Sequence, residues 1–259
     1  MPAYPGHQGS DLKTIILPSV VGSACVDPSL VQPTQGHTDM RKIVAAAFVS
    51  LDGIMQAPGG PPEDPTGGFT HGGWTVKYWN ESMEQFMGDM FAKPFDLLLG
   101  RKTYEIFAAH WPFAKGDPIS DLFSAATKYV ATSSTEAFTW ENTVALRGNV
   151  AAEIARLKQQ DGPILLTQGS SGLLQALLAH DLIDEFRLLT FPLVLGRGKR
   201  FFGQGTMAGA LKLTANSVST SGVIMSVYER AGAIEVGSFE LPQPSEAEIA
   251  RRARMQREG

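Results

Sequence analysis

Thiols are almost absent from this chain: its 259 residues contain one cysteine, Cys25. No internal disulfide can form, and no thiolate cluster is available for a metal. Histidine is scarce as well. His7, His37, His71, His110 and His180 include no pair at i, i+4 spacing, so no metal site is expected. Positive charge is short too, with 22 Lys and Arg against 26 Asp and Glu, a net charge of −4. A nucleic-acid partner usually needs a basic face; neither nucleic acid nor membrane is expected as a partner. The G-x-G-x-x-G fingerprint of the common dinucleotide fold is missing, and no internal repeat appears. What remains is 43% hydrophobic and 19% charged, a globular composition able to bury a sizeable core.

The ends differ from the middle. Residues 1–39 mix Pro, Gly, Ser, Gln and Thr around one short apolar run, Ile15–Leu17, and read as a poorly ordered extension. A secretory or lipoprotein signal ending near Cys25 fits badly. Pro18 breaks the run, only Lys13 precedes it, and Gly22 stands where a lipobox wants a larger aliphatic residue. A cytoplasmic location is therefore expected. Met40 opens the compact part and is an alternative natural start, with the preceding residues non-native. Residues 231–259 read as a tail through Leu-Pro-Gln-Pro, closing on a charged helix-prone stretch, Ser245–Arg257.

Between the ends, strand and helix patterns alternate over 40–230. Strands are expected at Ile43–Val49, Phe95–Leu99, Lys128–Ala131, Thr143–Leu146, Pro163–Thr167 and Glu185–Phe191. Helices are expected at Trp79–Phe91, Thr103–Ala109, Val150–Gln160 and Leu173–Ala179. Leu211–Ser219 and Val223–Glu229 form a closing hairpin-like pair. This alternation predicts an α/β domain with a mostly parallel sheet and an antiparallel edge. In the final strand Val223, Met225 and Val227 alternate with smaller or polar residues, which predicts a sticky face covered in a homodimer.

Three strand ends carry phosphate-holding equipment. Leu97–Leu99 runs into Gly100, then Arg101, Lys102 and Thr103, offering backbone N–H groups, two cations and a hydroxyl at a helix start. Tyr129–Ala131 ends in Thr132, Ser133 and Ser134. Ile164–Thr167 meets Gln168-Gly169-Ser170-Ser171-Gly172 before a helical pattern from Leu173. Each turn alone is an ordinary connector; three at strand ends in one domain point to a phosphate-bearing ligand. Residues 57–79 are too rich in Gly and Pro for a regular element. They predict a lid whose Phe69, His71, Trp74 and Trp79 stack on a planar substrate, or a loop that Trp74 packs onto the core.

Four motifs in order resemble the dihydrofolate-reductase-like family, in the branch of the C-terminal reductase domain of bifunctional riboflavin-biosynthesis proteins. They are Ile43–Val49 with Ser50-Leu51-Asp52-Gly53, Gly100-Arg101-Lys102-Thr103 with Trp111-Pro112 behind it, Gln168-Gly169-Ser170-Ser171, and Phe191–Phe202 with its Pro-x-x-x-Gly-x-Gly run. The resemblance implies a three-layer fold with helices on both faces of a mostly parallel sheet, NADPH as cofactor, and hydride transfer to a small heterocyclic or carbonyl/imine substrate. An aminopyrimidine-ribotide reductase is the implied activity; a dihydropterin reductase and a nucleotide-binding protein without catalysis stay open. By the same resemblance Ala46 and Ala47 present backbone groups to the nicotinamide carboxamide and Ile54 covers its ring. Gly100, Arg101 and Thr103 hold phosphates; Thr132, Ser133 and Ser134, with Arg101 or Lys102, take the adenosine 2′-phosphate. Gly169, Ser170, Ser171, Gly172 and Leu173 receive the pyrophosphate. Asp52 and Glu84 are the candidate acids, Asp52 having a plain Asp-Gly turn as its other reading. Thr190 borders the substrate, and the family implies dimers.

Overall fold

The structure, a computed structural model, describes residues 40–258. What the sequence predicts for residues 1–39 falls outside the described residues. In chain order the first half contains β1 (Ile43–Ser50), α1 (Glu81–Phe91), β2 (Phe95–Gly100), α2 (Arg101–Ala108), α3 (Pro118–Ala125), β3 (Lys128–Ala131) and β4 (Thr143–Leu146). The second half contains α4 (Val150–Lys158), β5 (Ile164–Thr167), α5 (Ser171–Ala179), β6 (Glu185–Phe191), β7 (Leu211–Val218), β8 (Ile224–Arg230) and α6 (Glu246–Glu258).

The eight strands form one sheet in the order β4-β3-β2-β5-β1-β6-β8-β7. The first six pair in parallel, and β8 and β7 add an antiparallel edge. Central β1 is apolar on both faces because both are covered. On one side α1, α2 and α3 close a core with Met83, Tyr104, Phe107 and Phe123. On the other, α4 and α5 bury Ile154, Leu157, Leu174 and Leu177. The expected mostly parallel sheet with helices on both faces is present.

Element limits moved for identifiable reasons. Helices α2 and α5 begin two residues before the expected Thr103 and Leu173, because Gly100 and Ser170 take the extended conformation of an N-cap and release the next residue into the helix. Helix α1 starts at Glu81, not Trp79, since Asn80 is extended after a short 3₁₀ turn at Val76–Tyr78. Helix α3 was not expected. Its eight residues are too short for a clear period, although Asp117 caps it by accepting from Ile119 N–H and Pro118 stands at its first position.

Lys128 on β3 is buried, and its ammonium donates to Phe123 O (3.0 Å) and Ser124 O (2.9 Å), the closing carbonyls of α3. It also lies 4.3 Å from the centre of the Trp140 ring. Burial drives its pKa from the ordinary 10.5 down to about 8. Between those values the unfolded chain holds a proton that the folded chain has lost, so this group makes stability rise with pH. Comparing wild type with Lys128→Met by denaturant unfolding, the gap is expected to stay flat below about pH 8. Above it the gap changes in favour of wild type, by at most about 1.4 kcal/mol per pH unit. A gap independent of pH up to 10 would show that Lys128 keeps its proton in the fold.

The C-terminal edge corrects one expectation. Val223 and Met225 are buried against the chain's own core, so that face is not the sticky one. The exposed apolar residues of the edge are Leu211, Leu213, Val218 and Ile224 instead, and every residue of β7 is exposed. The one-residue phase of the alternation decides which face is which. Helix α6 buries none of its residues.

Candidate active site

The chain leaves β2 toward β3 through α2 and leaves β5 toward β6 through α5, so the two connections run in opposite directions across the sheet. Ligands in open α/β sheets sit where the strand order switches in this way, at the carboxyl ends of the strands. Here the two helix starts lie side by side. Gly100 N–H donates to Gly169 O at 3.3 Å. A Cβ on Gly100 would fall 2.0 Å from Ser170 Oγ, and one on Gly169 would fall 2.8 Å from Thr103 Oγ1. Gly169 also needs its φ of +128°, which glycine adopts without strain. The peptide joining it to Ser170 is cis.

A cavity of about 420 Å³ opens beside these turns, within the usual range for small-molecule sites. Ala46, Ala47, Arg101, Lys102, Thr103, Gly169, Ser170, Ser171 and Gly172 all line it. Arg101 is held from two sides: its Nε donates to Glu105 at 2.6 Å, and its Nη2 pairs with Glu136. Its Nη1 is buried and finds no hydrogen-bond partner among the described residues. A buried cationic donor left open at a cavity wall is what an anionic ligand would satisfy.

The other half of the cavity is apolar on the sheet side, with Phe48, Met87, Ile106, Phe107 and Leu189. Its polar side comes from the Gly/Pro-rich loop and from the run after β6. Met55 N–H donates to Lys199 O and Phe201 N–H to Gly53 O, both at 2.9 Å, stitching the two segments together. Buried Gln56 completes the join: its Nε2 donates to the carbonyls of Asp64 and Thr66, and its Oε1 accepts from Lys199 N–H. These bonds bring Glu63, Asp64 and Lys199 to the cavity wall. Burial opposes charge on Asp64, but bonds from Lys199 and Thr66 outweigh it and hold its carboxyl below the ordinary range. Glu63 has no such cation. Burial pushes its carboxyl up, against backbone bonds from Gly59 (2.6 Å) and Gly60.

Several expected site residues stand elsewhere. Asp52 does not line the cavity; its carboxylate accepts from Ser50 Oγ, Leu195 N–H and Gly196 N–H at 2.6–3.1 Å. Although burial works the other way, those bonds keep it below the usual carboxylate range, which suits a clasp and not a proton donor. Glu84 is exposed on α1, one step round the helix from the buried Met83 and Met87, and Met87 takes the cavity position. Ile54 is fully buried in the core, and Met55 lines the cavity in its place. Leu173 is also a core residue. Thr190 is off the cavity wall while its strand neighbour Leu189 is on it, the two pointing to opposite sheet faces. Trp74 packs down: its Nε1 donates to Gln56 O at 2.8 Å, and its ring meets Phe191 edge-on at 5.1 Å.

Thr132, Ser133 and Ser134 lie outside the cavity lining. Thr132 Oγ1 accepts from Ser134 N–H and Ser134 Oγ from Glu136 N–H, two successive hydroxyl turns that deliver Glu136 to Arg101. Sequence reasoning missed Glu63, Asp64, Lys199 and Glu136. A signal existed for the first two, which are the only charged residues between Ala57 and Val76.

Residues 41–225 match the RibD C-terminal domain family. The chain belongs to that family. Two relatives from Bacillus subtilis (strain 168) are similar to it: the uncharacterized protein YyaP, 27% identical over 201 residues (74% of this chain, 96% of that one), and the uncharacterized protein YwjB, 29% identical over 173 residues (67% and 89%). Among solved structures, a putative riboflavin biosynthesis protein from Shewanella sp. PV-4 aligns with a TM-score of 0.50 at 17% identity, covering 73% of this chain and 99% of that one. The RibD-type α/β fold expected from the four motifs is therefore present. Among the described residues no helix is long and apolar enough to cross a membrane, and no group of His, Cys, Asp or Glu could hold a metal ion.

Proposed function

We propose that this chain is an NADPH-dependent reductase acting on a small heterocyclic or carbonyl/imine substrate. The observation that carries the reading is the orphaned Arg101 Nη1 beside two adjoining helix starts, a donor set that fits a dinucleotide's phosphates. The N–H groups opening α2 and α5 would hold the pyrophosphate, with Gly100 and Gly169 admitting it close to the backbone. Arg101 would take the adenosine 2′-phosphate, with the Thr132–Ser134 turn as its neighbour. Ala46 and Ala47, at the cavity wall on β1, would meet the nicotinamide carboxamide. Bound there, the cofactor would supply hydride; the chain's part is to orient the substrate against Phe48, Met87 and Leu189 and to exclude water. An aminopyrimidine ribotide is the substrate class that the family suggests, and a dihydropterin is the second candidate.

Fluorescence titration with NADPH and NADH, followed by NADPH oxidation with an aminopyrimidine ribotide and a dihydropterin, tests this. Absence of NADPH binding would overturn it. The removal of Asp52 and Glu84 from the cavity favours a second reading, a nucleotide binder without catalysis, to which binding without oxidation would point. We further propose a cytoplasmic homodimer that covers Leu211, Leu213, Val218 and Ile224 on the outer hairpin. Light scattering at micromolar concentration is expected to give twice the chain mass, and a monomer independent of concentration would refute the dimer.

A further inference from the structure

We infer that Glu63 is the proton donor of the reaction. The inference rests on the reductase reading above and assigns a residue to the half of the chemistry that hydride delivery leaves open. Reducing a C=N or C=O bond takes a hydride at carbon and a proton at nitrogen or oxygen. With dihydronicotinamide as the two-electron reductant, the hydride and its electron pair pass to carbon and the reductant is oxidised. The Glu63 O–H bond breaks as the new N–H or O–H bond forms. Glu63 is left as a carboxylate and regains its proton from water.

The cavity wall decides the candidate. Among the described residues it contains two carboxyl groups, Glu63 and Asp64, and no histidine, tyrosine or cysteine. Asp64 is occupied: Lys199 Nζ and Thr66 Oγ1 both bond its carboxylate, and an ion-paired acid holds its charge and not a proton. Lys199 is tied by the same pair. Arg101 does not release a proton in this range, and Lys102 is exposed at the start of α2. Among the described residues Glu63 alone is partly buried with no ion-pair partner, and it is anchored, its Oε2 accepting from Gly59 N–H.

The turn that carries Glu63 is rigidly placed. Glu63 N–H donates to Gly60 O, and Gly72 packs so closely that a Cβ there would fall 2.5 Å from the same oxygen. From β1, α1 and β6 the cavity lining takes only uncharged residues, Ala46, Ala47, Phe48, Met87 and Leu189. The charged groups near Glu63 are Asp64 on its own loop, Lys199 on the run after β6, and Arg101 and Lys102 on α2. Two neighbouring carboxyls whose surroundings push them apart, one up and one down, are the pattern of an acid beside a fixed charge.

The test is Glu63→Gln, which keeps an acceptor for Gly59 N–H and cannot donate an acidic proton. Three readouts separate the outcomes. NADPH titration is expected to match wild type within about twofold, since Glu63 is not among the phosphate-holding groups. Infrared difference spectra followed across pH are expected to show a carboxyl in wild type that keeps its proton beyond the ordinary glutamate range and is missing in the variant. Turnover of the aminopyrimidine ribotide or dihydropterin is expected to fall about 10²- to 10⁴-fold and to lose the decline with rising pH that titration of Glu63 imposes. If wild type binds no NADPH, the reductase reading fails. If it binds NADPH and the infrared spectra show Glu63 titrating in the ordinary glutamate range, or the variant turns over at the wild-type rate, the assignment to Glu63 is wrong and the reductase reading survives.

Discussion

Replacing Arg101 by Ala is expected to weaken NADPH binding about tenfold or more while changing NADH far less, because a charged donor facing a phosphate acts only on the cofactor that carries that phosphate. Arg101 is prepared for such a contact. Glu105 and Glu136 hold the guanidinium in place through Nε and Nη2, and Nη1 is left buried without a partner. Glu136 gives the prediction a second arm. Its exposed carboxylate occupies one edge of the guanidinium that a 2′-phosphate would want, and like charges compete for one cation. Glu136→Gln is therefore expected to tighten NADPH by about two- to fivefold, the modest effect of an exposed pair, with NADH unchanged. Titrating both cofactors against both variants gives four numbers. Equal losses of NADPH and NADH in the Arg101 variant would place the arginine on the pyrophosphate and leave the 2′-phosphate to other groups.

Those two residues show where sequence reasoning reaches and where it stops. The place of Arg101 at the cavity was legible because its signal is local: an apolar run, a glycine, and a helix start lie within a few residues of each other. The same holds for Gly169–Gly172 and for most strands, whose apolar runs and short glycine turns mark their own ends. Glu136 was not legible, since it meets Arg101 across 35 positions through a loop built of two hydroxyl turns.

The substrate half was lost for a related reason. Glu63 and Asp64 lie in a segment with no hydrophobic period, and Lys199 reaches them only because the chain between Gly53 and Gln56 pairs with the stretch Lys199–Phe201. Register also mattered. Thr190 and Leu189, and Ile54 and Met55, each differ by one position, and one position moves a side chain from cavity to core. Asp52 had the right loop and the wrong partners: three donors consume its carboxylate and turn a plausible acid into a clasp between the loop after β1 and the run after β6.

Gly100→Ala is expected to damage the site at its joint. The backbone of Gly100 is in an ordinary extended conformation with φ of −78°, so a methyl group there meets no torsional penalty. The obstacle is the opposite turn. The new Cβ would fall 2.0 Å from Ser170 Oγ, 2.9 Å from Ser170 Cβ and 3.1 Å from Ser170 N. The hydroxyl can rotate away, but N belongs to the backbone entering α5 and Cβ is fixed to it, so both can only move with that backbone. Overpacking of this kind costs about 1–3 kcal/mol, which for a domain of this size lowers Tm by about 2–10 °C. The larger expected effect is on binding. Forcing α2 and α5 apart separates two sets of N–H groups that would share one pyrophosphate, so NADPH and NADH are expected to weaken together, by about tenfold or more. That common loss distinguishes this variant from the selective one at Arg101. Ser170 makes no side-chain cap bond to α5, so Ser170→Gly alone is expected to be mild. Combined with Gly100→Ala it removes the two shortest contacts and leaves the one at 3.1 Å. Differential scanning calorimetry is expected to recover most of the lost Tm in the double variant, and titration to recover part of the affinity for both cofactors. A Gly100→Ala protein with wild-type Tm and wild-type binding would mean that the two turns do not close on each other, and the shared cradle would have to be given up.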